Sequence, residues 1–335
     1  MSLKTIRYMA TLAVFFGLFV VMLGAYTRLT DAGLGCPDWP GCYGKMVLPS
    51  VSNELQRAQH HYPQLPIEPR KAWTEMAHRY AAGTLAVLIL MMSACVLHCR
   101  QKGIRLPWKT PLLLIGLIVF QAALGMWTVT LKLLPVVVMG HLLGGMLIVG
   151  GLCYFRLQLN DGLAQNLPQW RIWILLGILI VFLQIALGGW VSSNYAGVAC
   201  IGFPQCNGTW IPTLHFAKGF NLFSPVGANY QGGVLDNSVR ITIQFIHRVG
   251  ALVTASYILI LSMLLLRVIQ SKPLRRVAFV AMVIVCVQFA LGVINVIYLL
   301  PLWVAVAHNG VAALLLSSLL SLYYLATGET NAHPH

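Results

Sequence analysis

The stretches AHRYAAGTLAVLILMMSACVLH (77–98) and QFIHRVGALVTASYILILSMLLL (244–266) decide the fold. Each is an apolar run long enough to cross a bilayer as a helix, for which about 20 residues suffice. Each carries a His-Arg pair near its start, His78-Arg79 and His247-Arg248. Six further runs of similar length lie at roughly 8–27, 108–130, 135–157, 171–192, 274–298 and 302–326, which makes eight. Of the 335 residues 58% are apolar and only 9% charged, against about 25% charged in a soluble domain; the mean hydropathy is +0.77. The first run has the basic flank of a signal peptide, but it is long, and residues 24–30 lack a small-residue cleavage pattern. The expected fold is therefore an all-α integral membrane protein with eight transmembrane helices.

The 22 Lys and Arg against 8 Asp and Glu give a formal charge of +14, which in a soluble chain would raise the question of nucleic acid. In a membrane protein it reports orientation, because basic residues near span ends stay on the cytoplasmic side. Lys4, Arg7, Arg100, Lys102, Arg105, Lys109, Arg156, Arg171, Arg267, Lys272, Arg275 and Arg276 share one set of loops with only Asp161 and Glu329 opposing them. Those loops and both termini are expected inside. The long loops, about 28–72 and 193–240, and the short connections near 131–134 and 299–301 are expected outside. No nucleic-acid partner is implied; membrane lipid is.

Shifting the sequence by 164 to 169 positions matches its second half to its first. Cys36-Pro-Asp-Trp-Pro-Gly-Cys42 aligns with Cys200-Ile-Gly-Phe-Pro-Gln-Cys206, and Glu75-Met-Ala-His-Arg79 with Gln244-Phe-Ile-His-Arg248. Gln-Ala-Ala-Leu-Gly (121–125) aligns with Gln-Phe-Ala-Leu-Gly (288–292), and 20 residues after each glutamine stands a histidine, His141 and His308. The expectation is two tandem-repeated four-helix bundles, 1–160 and 161–335. The second and fourth spans of each bundle run in the same direction, so His78 and His141, and likewise His247 and His308, should meet near the outer face.

A lone histidine in a span is readily explained by a hydrogen bond to a neighbouring helix. Four at matched depth in a duplicated frame point to cofactor sites built on facing helices. Two imidazoles can hold a heme iron from opposite sides, whereas zinc or copper would recruit further ligands. Arg79 and Arg248 either snorkel to the headgroups or bind heme propionates. Glu75 against Gln244 is the most informative difference. Glu75 either favours the helix dipole or places a carboxylate over the first pocket, where it would mark chemistry, the second pocket then transferring electrons or supporting the fold. The pairs Cys36/Cys42 and Cys200/Cys206 lie in outer loops where disulfides are permitted, as staples or as reducible pairs. Cys95, Cys99, Cys153 and Cys286 read as small buried hydrophobes, and His60, His61, His98, His215, His333 and His335 receive no ligand role.

Taken together, residues 24–42, Glu75-x-x-His78-Arg79, His141, Gln244-x-x-His247-Arg248 and His308 resemble the heme A synthase family, in its bacterial type with a cysteine pair in the first outer loop. The resemblance implies an enzyme of the bacterial plasma membrane that oxidises the C8 methyl of heme O to the formyl group of heme A by successive hydroxylations. It implies that His78 and His141 ligate the substrate heme, His247 and His308 ligate a permanent heme b, and Glu75 acts at the reacting methyl. It also implies a heme O synthase as supplier; an electron donor is expected as a further partner, and a homo-oligomer is compatible with the sequence. The competing reading is a diheme b-type electron carrier in which neither heme is altered; a two-repeat heme or metal transporter is a third.

Overall fold

The computed structural model describes residues 3–48, 52–62, 67–160 and 165–328. Asp161, Glu329, His333 and His335 lie outside these residues. Among the described residues ten helices form: α1 (Leu3–Leu29), α2 (Ser52–His61), α3 (Pro69–Gln101), α4 (Lys109–Thr130), α5 (Pro135–Gln158), α6 (Pro168–Ser193), α7 (Phe216–Gly219), α8 (Asn237–Val268), α9 (Lys272–Ile297) and α10 (Leu302–Ala326). All but α2 and α7 are long and apolar enough to cross a membrane, so the protein is a multi-pass membrane protein. Among the described residues there are no strands, only isolated bridges Cys42–Lys45 and Cys206–Thr209.

The helices start where proline allows. Pro69, Pro135 and Pro168 open α3, α5 and α6, at the position where a missing N–H costs nothing. The α4–α5 and α9–α10 connections reverse the chain within a few residues. Each does so with two left-handed leucine or lysine residues, Lys132 and Leu133, then Leu299 and Leu300. Such conformations are uncommon outside glycine, and each turn is held by a backbone bond, Leu133 N to Thr128 O and Leu300 N to Asn295 O, both 2.8 Å.

Helix α1 packs on α3, α3 on α4, α4 on α5 and α5 on α1; α6, α8, α9 and α10 close a second ring in the same way. The rings meet through α1 with α10, α5 with α6, and α5 with α10. Helix α10 is accordingly the most buried of the eight spans. In lipid there is no hydrophobic drive between helices, so close backbone approach and van der Waals fit must hold them. Gly310 against Met22 and Gly189 against Leu142 supply it at the junction: an added methyl would fall 2.9 Å and 3.0 Å from those side chains. One core, including Ile6, Ile89, Leu114 and Phe155, fills the first ring; the other fills the second and reaches across to Met146. Outward-facing Phe15, Phe19, Val119 and Leu183 are exposed, as a lipid-facing surface requires.

Basic residues also tie helix ends together on the side of the termini. Arg7 Nε donates to Leu159 O at 2.7 Å, and Arg171 to Thr327 O at 2.7 Å, satisfying carbonyls that a helix C-terminus leaves open. At the opposite ends, α3 and α8 begin at residues 69 and 237 rather than near 77 and 244. Their opening turns, with Arg70, Lys71, Asn237 and Arg240, are too polar for an apolar run to include, and they follow the two long loops. The cysteine expectation is also corrected: of the four outside disulfides only Cys99 is buried, Cys95 and Cys153 are half-buried, and Cys286 is exposed on the apolar surface.

Candidate functional site

His78 projects from α3 and His141 from α5, with ring centroids 6.3 Å apart and ring planes at 86°. Two imidazoles bound to one metal, each through a bond of about 2 Å, have centroids about 6 Å apart. Glycines admit both rings: an added methyl at Gly24 would lie 2.9 Å from Cε1 of His78, and one at Gly125 would lie 3.3 Å from Cε1 of His141. Nδ1 of both rings is buried without a partner. Gln121 Nε2 donates to the His141 carbonyl at 2.6 Å.

His247 on α8 and His308 on α10 have corresponding surroundings. Gly188 and Gly292 stand against their Cε1 atoms, with added methyls at 3.2 Å and 3.3 Å. Gln288 Nε2 lies 3.2 Å from His308 Nε2, and Gln184 Nε2 lies 3.1 Å from His247 Nδ1. Among the described residues no three of His, Cys, Asp and Glu converge. A metal held by two imidazoles must bring its remaining ligands with it, as a porphyrin does. The facing rings of the first pair, together with the glycine clefts and orphaned ring nitrogens found in both, therefore fit heme.

Glu75 is 4% exposed. Its Oε1 accepts from Arg79 at 2.5 Å and its Oε2 from the Cys36 backbone N–H at 2.9 Å. Six residues into α3, it lies beyond the first turn, where a helix dipole no longer stabilises it appreciably. Arg79 also donates to the carbonyls of Asp38 at 2.9 Å, Pro40 at 3.1 Å and Gly41 at 2.5 Å. Arg248 repeats the clamp on Gly202 at 2.8 Å, Gln205 at 3.2 Å and Cys200, while its Nε stays buried without a partner. Both arginines thus bind loop carbonyls, which neither sequence reading of them anticipated. Gln244, in the place of Glu75, is 5% exposed, and its Oε1 has no partner.

The clamped loops carry disulfides Cys36–Cys42 and Cys200–Cys206, with Cα atoms 4.9 Å and 5.0 Å apart. Gly35 lies against α3 so closely that an added methyl would be 2.6 Å from the Lys71 carbonyl carbon. Asp38 accepts the Tyr43 and Gly44 N–H groups at 2.7 Å. Asn207 closes the second loop instead, accepting from Ile201 N at 2.9 Å. Burial, then the Glu75 charge, push the Tyr43 phenol above its ordinary value; its hydroxyl donates to Gly35 O at 3.2 Å. The first disulfide loop is therefore joined to Glu75 by hydrogen bonds, and Glu75 is joined to the His78 helix. His60 and His61 end α2, His98 lies in the last turn of α3, and His215 precedes α7; none reaches either histidine pair.

Gln121 and Gln288 were visible in the sequence as matched residues, but their contact with the histidine helices was not. Gln184 carried no signal, because the matching position is Val20.

The chain matches the family model described as cytochrome oxidase assembly protein, COX15-CtaA, over residues 7–320. It is 43% identical to a heme A synthase of Shewanella oneidensis over 95% of this chain and 96% of that one. Heme A synthases of Caulobacter sp. and Paracoccus denitrificans are each 28% identical, covering 89% and 87% of this chain and 89% and 79% of their own lengths. A match running from the first span to the last, and taking in both histidine pairs, places the chain in the COX15-CtaA cytochrome oxidase assembly family, and the heme A synthases are similar to it over most of its length.

Proposed function

We propose that this protein is a heme A synthase, an oxidoreductase that converts heme O to heme A, with the substrate in the first pocket and heme b in the second. The observation that carries the assignment is the single difference in charge: a buried carboxylate one turn before the histidine in the first pocket, an amide in the second. His78 and His141 would grip the substrate from both sides and fix its orientation. His247 and His308 would hold heme b, which supplies one-electron transfer when bound. The residues 1–160 and 161–335 form the corresponding units.

The reaction is a four-electron oxidation of the C8 methyl, CH3 to CH2OH to CH(OH)2, each hydroxylation consuming a two-electron oxidant supplied from outside the chain, and the hydrated aldehyde then loses water to leave the formyl group. Positive charge that builds at the reacting carbon is favoured by the Glu75 carboxylate, and that carboxylate can accept a proton from the hydroxylated carbon. Cys36 N–H and Arg79 hold it in one orientation while they do so. Arg248 Nε, still without a protein partner, is the donor available to a propionate. The spans keep bulk water out and give the farnesyl tail of heme O a lipid-exposed route. A bacterial plasma-membrane location, cytoplasmic termini and outward-facing pockets complete the reading, with a heme O synthase and an electron donor as partners.

The test is mass analysis of hemes extracted from Glu75→Gln. Heme b and heme O should remain and heme A should be absent; wild-type levels of heme A would overturn the role of Glu75. The near-identical glycine clefts favour a second reading, a diheme electron carrier, which would contain heme b alone in both sites.

A further inference from the structure

The two disulfide loops share a surface that takes no part in either histidine pair. Trp39 and Phe203 stand at matched places inside the two disulfide rings, and Met46-Val47 and Trp210-Ile211 follow Cys42 and Cys206 at one and the same spacing. All six side chains are large, apolar and exposed, Trp210 to 67% and Ile211 to 76%. The residue types change between the halves while the apolar character is kept. Apolar side chains gathered on a surface mark a contact with protein or with lipid. The second long loop is also nearly uncharged: between residues 193 and 236 only Lys218 and Asp236 carry charge, far below the roughly 25% of a chain folded in water.

Depth selects the partner. Arg79 holds the first loop by the carbonyls of Asp38, Pro40 and Gly41, and the neighbouring Tyr80 hydroxyl donates to Met46 O. Arg248 holds the second by those of Cys200, Gly202 and Gln205. Helices α3 and α8 have 33 and 32 residues, about 50 Å at 1.5 Å per residue, whereas the hydrocarbon is only about 30 Å thick. Each has a basic residue in its last turn, Arg100 and Arg267, which marks one edge of that layer. About 20 residues back along each helix the opposite edge falls at the level of Arg79 and Arg248. The clamped loops therefore lie beside the spans at the edge of the hydrocarbon, not above it in water. Tyr80 and Val249, next to the two arginines, are exposed as well, so the lipid-facing surface of the spans continues onto the loops. We propose that both disulfide loops are seated in the interfacial layer of the bilayer on the long-loop side, with membrane lipid as their partner. Trp39, Met46 and Val47 make the contact in the first loop, Phe203, Trp210 and Ile211 in the second. An indole suits this layer, because its ring is apolar and its N–H can meet a headgroup.

The test places the full-length protein in phosphatidylcholine nanodiscs, with acyl chains either plain or brominated close to the headgroup, and reads tryptophan emission. The share of Trp39 is the difference between the wild type and Trp39→Phe, and the share of Trp210 the difference from Trp210→Phe. Both shares should be lost in brominated lipid and should survive aqueous iodide, which reaches only side chains in water. Quenching of either share by iodide, with no loss in brominated lipid, would overturn the proposal. Resistance of either share to both quenchers would overturn it too, since that is the result expected if another protein or a second copy of this chain covered the loop. Should a variant fail to fold, Val47→Trp reads the first loop and Ile211→Trp the second, by the response of the emission gained.

Discussion

The two histidine pockets share a frame and differ in what surrounds it. Gly24 and Gly188 stand against one histidine of each pair, Gly125 and Gly292 against the other, and Arg79 and Arg248 clamp each disulfide loop beside it. Around this shared frame the first pair has a carboxylate tied to its disulfide loop. The second has a neutral amide in that place, and Gln184 beside His247 where the first half has Val20. Under the proposed function, such differences are what would make one site reactive and leave the other to hold heme b. Two copies of one scaffold can take different tasks through a few buried polar substitutions.

The largest effect is expected at the charged difference. Glu75→Gln should lower heme A formation at least about 100-fold, the scale of a lost acid–base or electrostatic group, with heme b content unchanged; the reverse change Gln244→Glu should leave heme A formation intact. Liquid-chromatography mass analysis of extracted hemes reads both. Heme A loss in Gln244→Glu alone would remove the distinction.

Next come the glycines against the rings. Gly24→Ala places a methyl 2.9 Å from His78 and Gly188→Ala one 3.2 Å from His247. Each should weaken heme binding in its own pocket alone, about tenfold for Gly24 and less for Gly188, by absorption titration; a shift in both pockets from one change would show that they are not independent. Replacing either cysteine pair by serine should cost each loop about 2 kcal/mol for so small a ring. Only loss of Cys36–Cys42 should also reduce heme A formation, since that loop alone hydrogen-bonds Glu75. Equal losses from both pairs would make the effect one of stability.

The smallest effect is expected where the halves meet. Arg28 lies 4.0 Å over the Tyr195 ring and donates to Ser192 O at 2.6 Å, while the Tyr195 hydroxyl donates to Asp31 at 2.9 Å. Arg28→Ala should reduce thermal stability by a cation–π contact of about 1 kcal/mol and a hydrogen bond of similar size, with heme content unaffected.

Much of this was legible because lipid simplifies the code: a span must be apolar and helical, so the eight helices and the few polar residues inside them stand out. The histidines and the Glu75–Gln244 difference were visible for that reason. The starts of α3 and α8 were not, since their opening turns are polar and follow the long loops. The arginine clamp was also hidden, because a guanidinium beside a histidine looks the same whether it meets a propionate, a headgroup or a loop carbonyl. Gln184 escaped because matching the halves draws attention to what they share, and its place in the first half is an ordinary valine.

The division of labour is tested most directly by weighing the hemes bound to two variants, His78→Ala and His247→Ala, purified alike. The account predicts that the first keeps heme b and loses heme O and heme A, and that the second loses heme b. Loss of the same heme from both would contradict it.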